Sequence, residues 1–485
     1  MTAWTLQLSL RPEEKTPAFL QIVRAVSAAV RAGRLRPGQR LPGSRALAAS
    51  LGVHRNTVIA ALAELEAEGW IEAQQGRGTF VSRAIAEERA ARPRTGAGLA
   101  TRPSYDVPPA VGAAAPARAP RPAGVLDLSG GVPDLRLVPA APLWRAYRRV
   151  LGRGARELLD YGDPRGLPRL RAALAEMLAA TRGLAVGHDD LLITRGSQMG
   201  LSLVARALVR PGDAVAVEAL GYRPAWDALR AAGARLVPVP VDRHGLDVEQ
   251  LARASARRRL RAIYVTPHHQ YPTTAVMAAA RRIHLLDLAR TRGFAVIEDD
   301  YDNEFHYDGR PVLPLASADP AGSVVYVGTL SKVLAPALRV GYVVAPAPVL
   351  DALAALRATT DGQGDSVTEA AVAELLEDGE VARHVRRVRR VYQARRDAMA
   401  AALRRRLAGA LDFDVPAGGL ALWARAARGL DVDAWAARAA AAGVLVTPGR
   451  HYDFEGRSRP FLRIGYARLV ERELDEAVRR LAVTR

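Results

Sequence analysis

The chain has 485 residues, 49% of them hydrophobic and 25% charged, with a formal net charge of +19 and no cysteine. At about 100 to 200 residues per domain this allows two to four domains with cores of their own, and the absence of cysteine excludes disulfides and thiolate metal sites. The excess positive charge points to a polyanionic partner, but only two of the 69 basic residues, Lys15 and Lys332, are lysine. A compositional preference for arginine explains the charge equally well, so its placement has to decide. No apolar run reaches the length of about 18 residues that a membrane span requires. The start, "MTAWTLQLSLRPEEK", lacks the basic and then apolar pattern of a signal peptide. The expected compartment is the cytosol, with no membrane contact.

Residues 1–82 are expected to form a small, mainly helical domain. Leu20, Val23, Val26 and Val30 recur at three- and four-residue spacing, the mark of one buried helix face. Gly33 and Pro37-Gly38 stop that helix. "SRALAASLG" predicts a short helix with Ser44 as its N-cap, Gly52 supplies a turn, and "HRNTVIAALAELEAEG" predicts a second helix capped near His54 or Asn56. Helix, glycine turn and helix make a helix-turn-helix pattern. Val58, Leu62 and Leu65 turn the second helix inward, which leaves Arg55, Asn56 and Thr57 at its exposed start, where recognition helices meet base edges and phosphates. "WIEAQQGRGTFV" then reads as a two-stranded wing with Arg77 at its tip between two glycines.

Residues 83–124, rich in Pro, Arg, Ala and Gly, cannot bury a core and read as a semi-extended linker. Over 125–485, short β-branched runs ("AVAVEA", "AIYVTP", "AVIEDD", "SVVYVG") alternate with helical Ala/Arg/Leu segments. That alternation predicts parallel strands with crossover helices, an α/β sheet.

In "YVGTLSKVLAPALRVGY" Lys332 stands out. Where only a fixed charge is needed this chain uses arginine, which cannot act as an amine nucleophile. A lysine can lose its proton and condense with an aldehyde to a Schiff base. Thr329, Ser331 and Arg339 beside it suit a phosphate, and a pyridoxal phosphate aldehyde needs both groups. In "AVIEDDYDNEF", Asp299 ends a β-branched run, at the strand edge where open α/β sheets bind ligands. A carboxylate there can keep a pyridine nitrogen protonated, and Tyr301 can donate to the ring's phenolic oxygen. In "TRGSQMGLSLVARAL", Gly196, Ser197 and Gln198 open a helix whose first N–H groups can receive an anion. Tyr222, after another strand end, is placed to stack on a ring. "VTPHHQYPTT" adds His269 and Tyr271. Its adjacent histidines suggest a metal pair, but sequence neighbours point apart and no carboxylate or cysteine completes a ligand spacing, so no metal is expected.

The N-terminal stretches "GRLRPGQRLPGSRALAASLGVHRNTV" and "EGWIEAQQGRGTFV" resemble the GntR-type winged helix. The resemblance implies DNA contacts at Ser44, Arg45, Arg55, Asn56, Thr57, Arg77, Gly78 and Thr79; His54 departs from it, since Ser is usual there. Residues 125–485 resemble the fold-type I, aspartate aminotransferase-like pyridoxal phosphate proteins through "YGDPRGLPRLRAALAEML", "VTPHHQYPTT", "IEDDYDNEF", "GTLSKVLAPALRVGY" and "FLRIGYA". That likeness implies an internal aldimine on Lys332, a pyridine partner in Asp299, and a stacking Tyr222. It also implies hydrogen bonds from Tyr301 and His269 near the ring hydroxyl, and a phosphate cradle of Ser197, Gln198, Thr329, Ser331 and Arg339. Arg463 would clamp an effector or substrate carboxylate, and Tyr161 would reach the neighbouring subunit's site. "PTT" at Pro272–Thr274 departs from the usual "PTG".

Together the two halves resemble the MocR/GabR-type regulators. The resemblance implies a head-to-tail, domain-swapped homodimer whose operator binding responds to pyridoxal phosphate itself or to an amino-compound effector such as γ-aminobutyrate, a taurine-like sulfonate or a D-alanyl compound. The alternative from another class is a true pyridoxal phosphate-dependent aminotransferase with a fused DNA-binding domain, for which the same residues suffice.

Overall fold

The computed structural model describes residues 16–85, 105–107, 122, 124–309 and 312–485. Lys15 and most of the expected 83–124 linker lie outside the described residues. The chain divides into two compact units, Met1–Pro108 and Pro109–Arg485.

In the first unit the helical periodicity yields α1 (Ala18–Arg31), α2 (Ser44–Leu51) and α3 (Arg55–Ala67). Ile22, Val26 and Ala29 of α1 pack with Val58, Ala61 and Leu65 of α3 in one core. Leu20 and Leu62, expected inside, are half-buried at its margin. A bend of 116° separates α2 from α3, within the helix-turn-helix range. Gly52 makes that turn with φ +64°, a left-handed conformation that costs glycine nothing sterically.

The expected N-cap at Ser44 is corrected: Gly43 holds that position, Ser44 begins the helix, and its Oγ accepts from Arg55 Nε at 3.3 Å. At α3 the cap is His54, whose Nδ1 accepts from the Asn56 N–H at 3.3 Å. The imidazole therefore does what a serine hydroxyl would, and Asn56 lies inside the helix. Strands β1 (Ile71–Gln74) and β2 (Gly78–Val81) pair antiparallel with Ile71 opposite Val81, forming the wing with Arg77 exposed at its tip.

In the second unit seven strands form one sheet. Their order is Leu191–Thr194, Gly341–Val344, Val324–Thr329, Ala295–Asp300, Leu260–Val265, Ala214–Glu218 and Arg235–Val239. Ala216, Ile263, Val265, Val296 and Val327 are wholly buried, as β-branched runs covered on both faces must be. One strand departs from the expected parallel order: Gly341–Val344 runs antiparallel to both its neighbours. The Leu330–Val340 connection explains this, because it is shorter than a parallel crossover requires and the chain turns straight back. The carboxyl ends of the other strands bring Thr194, Glu218, Asp299 and Thr329 to one edge.

A smaller antiparallel sheet (Leu411–Asp412, Ala421–Ala426, Phe461–Gly465, Thr447–Pro448) packs on the helices Glu380–Leu407, Val432–Ala441 and Glu471–Val483 through Tyr392, Leu403, Trp435 and Leu474. It carries Arg463 in mid-strand. Among the described residues no single helix is long and apolar enough to cross a membrane.

Candidate functional site

At the carboxyl edge of the large sheet lies a cavity of about 220 Å³. Ser197, Gln198, Tyr222, Asp299, Tyr301, Thr329, Ser331, Lys332 and Arg339, nine residues singled out in the sequence, line it together. Lys332 stands in the loop just past the Val324–Thr329 strand. Asp299 is next to last in its own strand, so it shares a face with Ile297. Tyr264 pairs opposite Ile297 on the adjacent strand, and its hydroxyl donates to Asp299 Oδ2 at 2.7 Å. Asp299 Oδ1 is buried and has no partner. Burial pushes this carboxyl up to about 7; the charges of Asp300 and Asp302 add to the rise, while the Tyr264 hydrogen bond and the Lys332 charge oppose it.

At the other end the wall is built for an anion. Gly196 precedes the Ser197–Leu208 helix with φ +76°, and a Cβ there would sit 2.5 Å from Arg339 Nη2. Only glycine lets the guanidinium come this close to the helix start. Arg339 itself has φ +52°, a conformation that costs a non-glycine residue about 1–2 kcal/mol, and its Nη2 donates to the Arg195 carbonyl at 2.9 Å. Thr329 Oγ1 accepts from the Ser331 N–H at 3.1 Å, and Ser331 Oγ is buried without a partner. A cation, hydroxyls and free helix N–H groups thus converge as phosphate recognition demands.

Tyr222 meets Tyr271 edge-on, ring centroids 5.4 Å apart. The Tyr301 hydroxyl donates to the His269 carbonyl at 3.0 Å, so it holds an internal hydrogen bond in addition to facing the cavity. From the smaller sheet, Arg463 lays its guanidinium carbon 4.6 Å from the Tyr271 ring centroid. It is 1% exposed, and its Nε and Nη1 lack partners.

Three expected residues do not line the cavity: Arg463, which packs behind Tyr271, Tyr161 and His269. Tyr161 is 96% exposed. His269 is buried and directs Nδ1 to Asp302 Oδ1 at 2.8 Å. The expectation that His268 and His269 point apart is also corrected. Alternation holds only within a strand, and both residues lie in a bend beyond Leu260–Val265, where their ring centroids come within 4.4 Å. Thr274, where the resemblance expects glycine, has φ +62°; it adopts the glycine conformation without being glycine.

Several wall residues escaped the sequence. Tyr264 and Thr266 line the cavity, and Thr266 Oγ1 donates to Glu218 at 2.8 Å. Burial pushes Glu218 up to about 7 against the hydrogen bonds of Thr266 and Gln270. A polar residue closing an apolar strand run, as in "AVAVEA" and "AIYVTP", is the signal that could have found them. In the first unit Arg40 was missed: a Cβ on Gly78 would sit 2.9 Å from its Nε, so this cation flanks the wing.

Comparison with known proteins agrees with both units. The aminotransferase class I and II family matches residues 124–481, and the bacterial regulatory proteins of the gntR family match residues 19–81. The probable rhizopine catabolism regulatory protein MocR of Rhizobium meliloti is 34% identical over 474 residues, covering 98% of this chain and 95% of the relative. The chain belongs to the MocR-type transcriptional regulators. The HTH-type regulator TauR of Rhodobacter capsulatus is 35% identical, with 94% of each chain covered. Among solved structures, the α-aminoadipate aminotransferase LysN of Thermus thermophilus, complexed with N-(5'-phosphopyridoxyl)-L-leucine, superposes with a TM-score of 0.70 at 33% identity. The match covers 75% of this chain and 92% of that one.

The cofactor of such a domain is pyridoxal phosphate, and the cavity fits it. The unpartnered Asp299 oxygen suits a pyridinium N–H, the unpartnered Ser331 hydroxyl and the Gly196 cradle suit a phosphate, and Lys332 supplies the amine.

Proposed function

We propose that the chain folds as a DNA-reading head (1–82), a linker (83–124) and an effector domain (125–485), and that the state of the Lys332 cavity sets its affinity for an operator. One observation carries this reading: Lys332, the only lysine among the described residues, lines one cavity with the buried, half-partnered Asp299.

Bound there, pyridoxal phosphate supplies an aldehyde that amines condense with reversibly and a ring that draws electrons. Lys332 Nζ is the resident amine. Asp299 would hold the proton on the ring nitrogen, with Tyr264 fixing the carboxylate. Tyr222 would stack on the ring. Ser197, Gln198, Thr329, Ser331 and Arg339 would hold the phosphate. Arg463, a buried guanidinium with two unpartnered nitrogens, takes the carboxylate of an amino-acid-like effector. Such an effector would compete with Lys332 Nζ for the aldehyde, and the difference in its affinity for two conformations would bias the head.

The operator-reading unit is a head-to-tail homodimer in which the partner subunit's Tyr161 completes the cavity. The exposed Trp144, Leu151, Leu159 and Tyr161, all within residues 144–161, support it as large apolar side chains that a partner would cover. In the head, Arg55, Asn56, Thr57 and Arg45 meet the major groove while Arg77, Gly78 and Thr79 carry the wing to the backbone, with Ser44 positioning Arg55.

The test is to select an operator from a random duplex pool with the full-length chain. Its affinity and the cofactor's absorption are then followed in the same samples as carboxylate-bearing amines are added. The regulator reading expects the absorption band and the operator affinity to move together without release of a keto acid. Steady keto acid production with unchanged operator affinity would establish the aminotransferase instead.

A further inference from the structure

Outside the cofactor cavity the second unit buries three imidazoles together: His268, His269 and His306, which are 4%, 1% and 7% exposed. One ring nitrogen from each lies within 4.8 Å of the other two. His306 stacks on His269 with ring centroids 6.3 Å apart and planes 13° from parallel.

The hydrogen bonding is lopsided. His269 Nδ1 faces Asp302 Oδ1 at 2.8 Å and His268 Nδ1 faces the Val312 carbonyl at 3.1 Å, so acceptors hold the proton on Nδ1 in both rings. The Nε2 atoms of His268 and His269 and both ring nitrogens of His306 are buried with no partner. A buried polar group without a partner is costly, and three side by side call for a common ligand. Gly418 leaves room for one, since a Cβ at 418 would stand 2.5 Å from His269 Nε2.

We propose that His268, His269 and His306 bind one divalent transition-metal ion of the zinc class, independently of the amine chemistry at Lys332. Three neutral imidazoles with an open fourth position are a common tetrahedral donor set. A carboxylate on one Nδ1–H and a backbone carbonyl on another are the outer-shell contacts that orient metal-bound histidines. With bonds of about 2.0–2.1 Å the ligand nitrogens, now within 4.8 Å of one another, must close to roughly 3.3 Å apart. His306 lies far along the chain from the other two, which is why no ligand spacing shows in the sequence. Metal binding here would also tie down the 268–271 bend, whose His269 carbonyl receives the Tyr301 hydroxyl.

The full-length protein, loaded with pyridoxal phosphate and stripped with a chelator, is titrated with Zn²⁺ and Co²⁺. One ion per chain is expected, with affinity lowered at least 100-fold in His268→Gln and His306→Gln and unchanged in His244→Gln, an exposed control. Circular dichroism and the cofactor band verify that each variant folds. X-ray absorption on the zinc-loaded wild type requires no variant and should show three imidazole nitrogens at about 2.0–2.1 Å. No stoichiometric binding by wild type, equal binding by the three variants, or a zinc shell without imidazoles overturns the proposal.

Discussion

Tyr264 and Asp299 sit on neighbouring strands, and the 2.7 Å hydrogen bond between them occupies Oδ2 while Oδ1 remains bare at the cavity. The tyrosine thus aims the carboxylate. Asp299→Ala should weaken pyridoxal phosphate binding by roughly 100-fold or more, as loss of a buried charge partner does. Tyr264→Phe should cost about tenfold, one hydrogen bond of about 1.4 kcal/mol. Equilibrium titration of the cofactor band measures both; equal losses would mean that Tyr264 does more than orient.

The same carboxyl gives a pH dependence. Burial first, then Asp300 and Asp302, raise Asp299 in the folded state to about 7, against about 3.9 when unfolded. Between those values the folded state holds a proton that the unfolded chain has released, so this group takes stability away as pH rises from about 4 to about 7. Asp299→Asn lacks the effect. In cofactor-free protein the melting temperature of wild type should therefore fall progressively behind that of Asp299→Asn across this window. Parallel curves would show that Asp299 titrates normally.

Arg463 is buried with two nitrogens unpaired, so its folded-state contribution to stability is small or adverse. Arg463→Met should keep the cofactor band and match or exceed wild-type stability, yet lose the spectral response to carboxylate-bearing amines by at least 100-fold. A retained response would place the effector carboxylate elsewhere.

Thr274 holds φ +62°, which costs a β-branched residue about 1–2 kcal/mol. Glycine relieves it, offset by the entropy that glycine adds to the unfolded chain. Thr274→Gly should stabilise by about 0.5–1 kcal/mol in chemical denaturation. Destabilisation would mean that the Thr274 Oγ1 hydrogen bond to the Thr273 carbonyl outweighs the strain.

What could be read in advance follows from range. The α1–α3 periodicity, the wing and the strand-end residues Asp299, Thr329 and Lys332 depend on local pattern, and the sequence displays them. The antiparallel Gly341–Val344 strand depends on a loop too short for a crossover, a length the α/β alternation conceals. The Ser44 cap failed because its hydroxyl is taken by Arg55, eleven positions on. Tyr264 beneath Asp299 and His306 beside His268 depend on strand register and chain crossing, which no local spacing encodes.

The central claim is that Lys332 chemistry controls DNA reading, and the most direct measurement compares wild type with Lys332→Ala on the selected operator, with and without pyridoxal phosphate. Wild type should change its operator affinity by at least tenfold when the cofactor binds, whereas Lys332→Ala, folded and with its reading head intact, should bind the operator at one affinity in either condition. If Lys332→Ala responds to the cofactor as wild type does, the amine at 332 is not the control point.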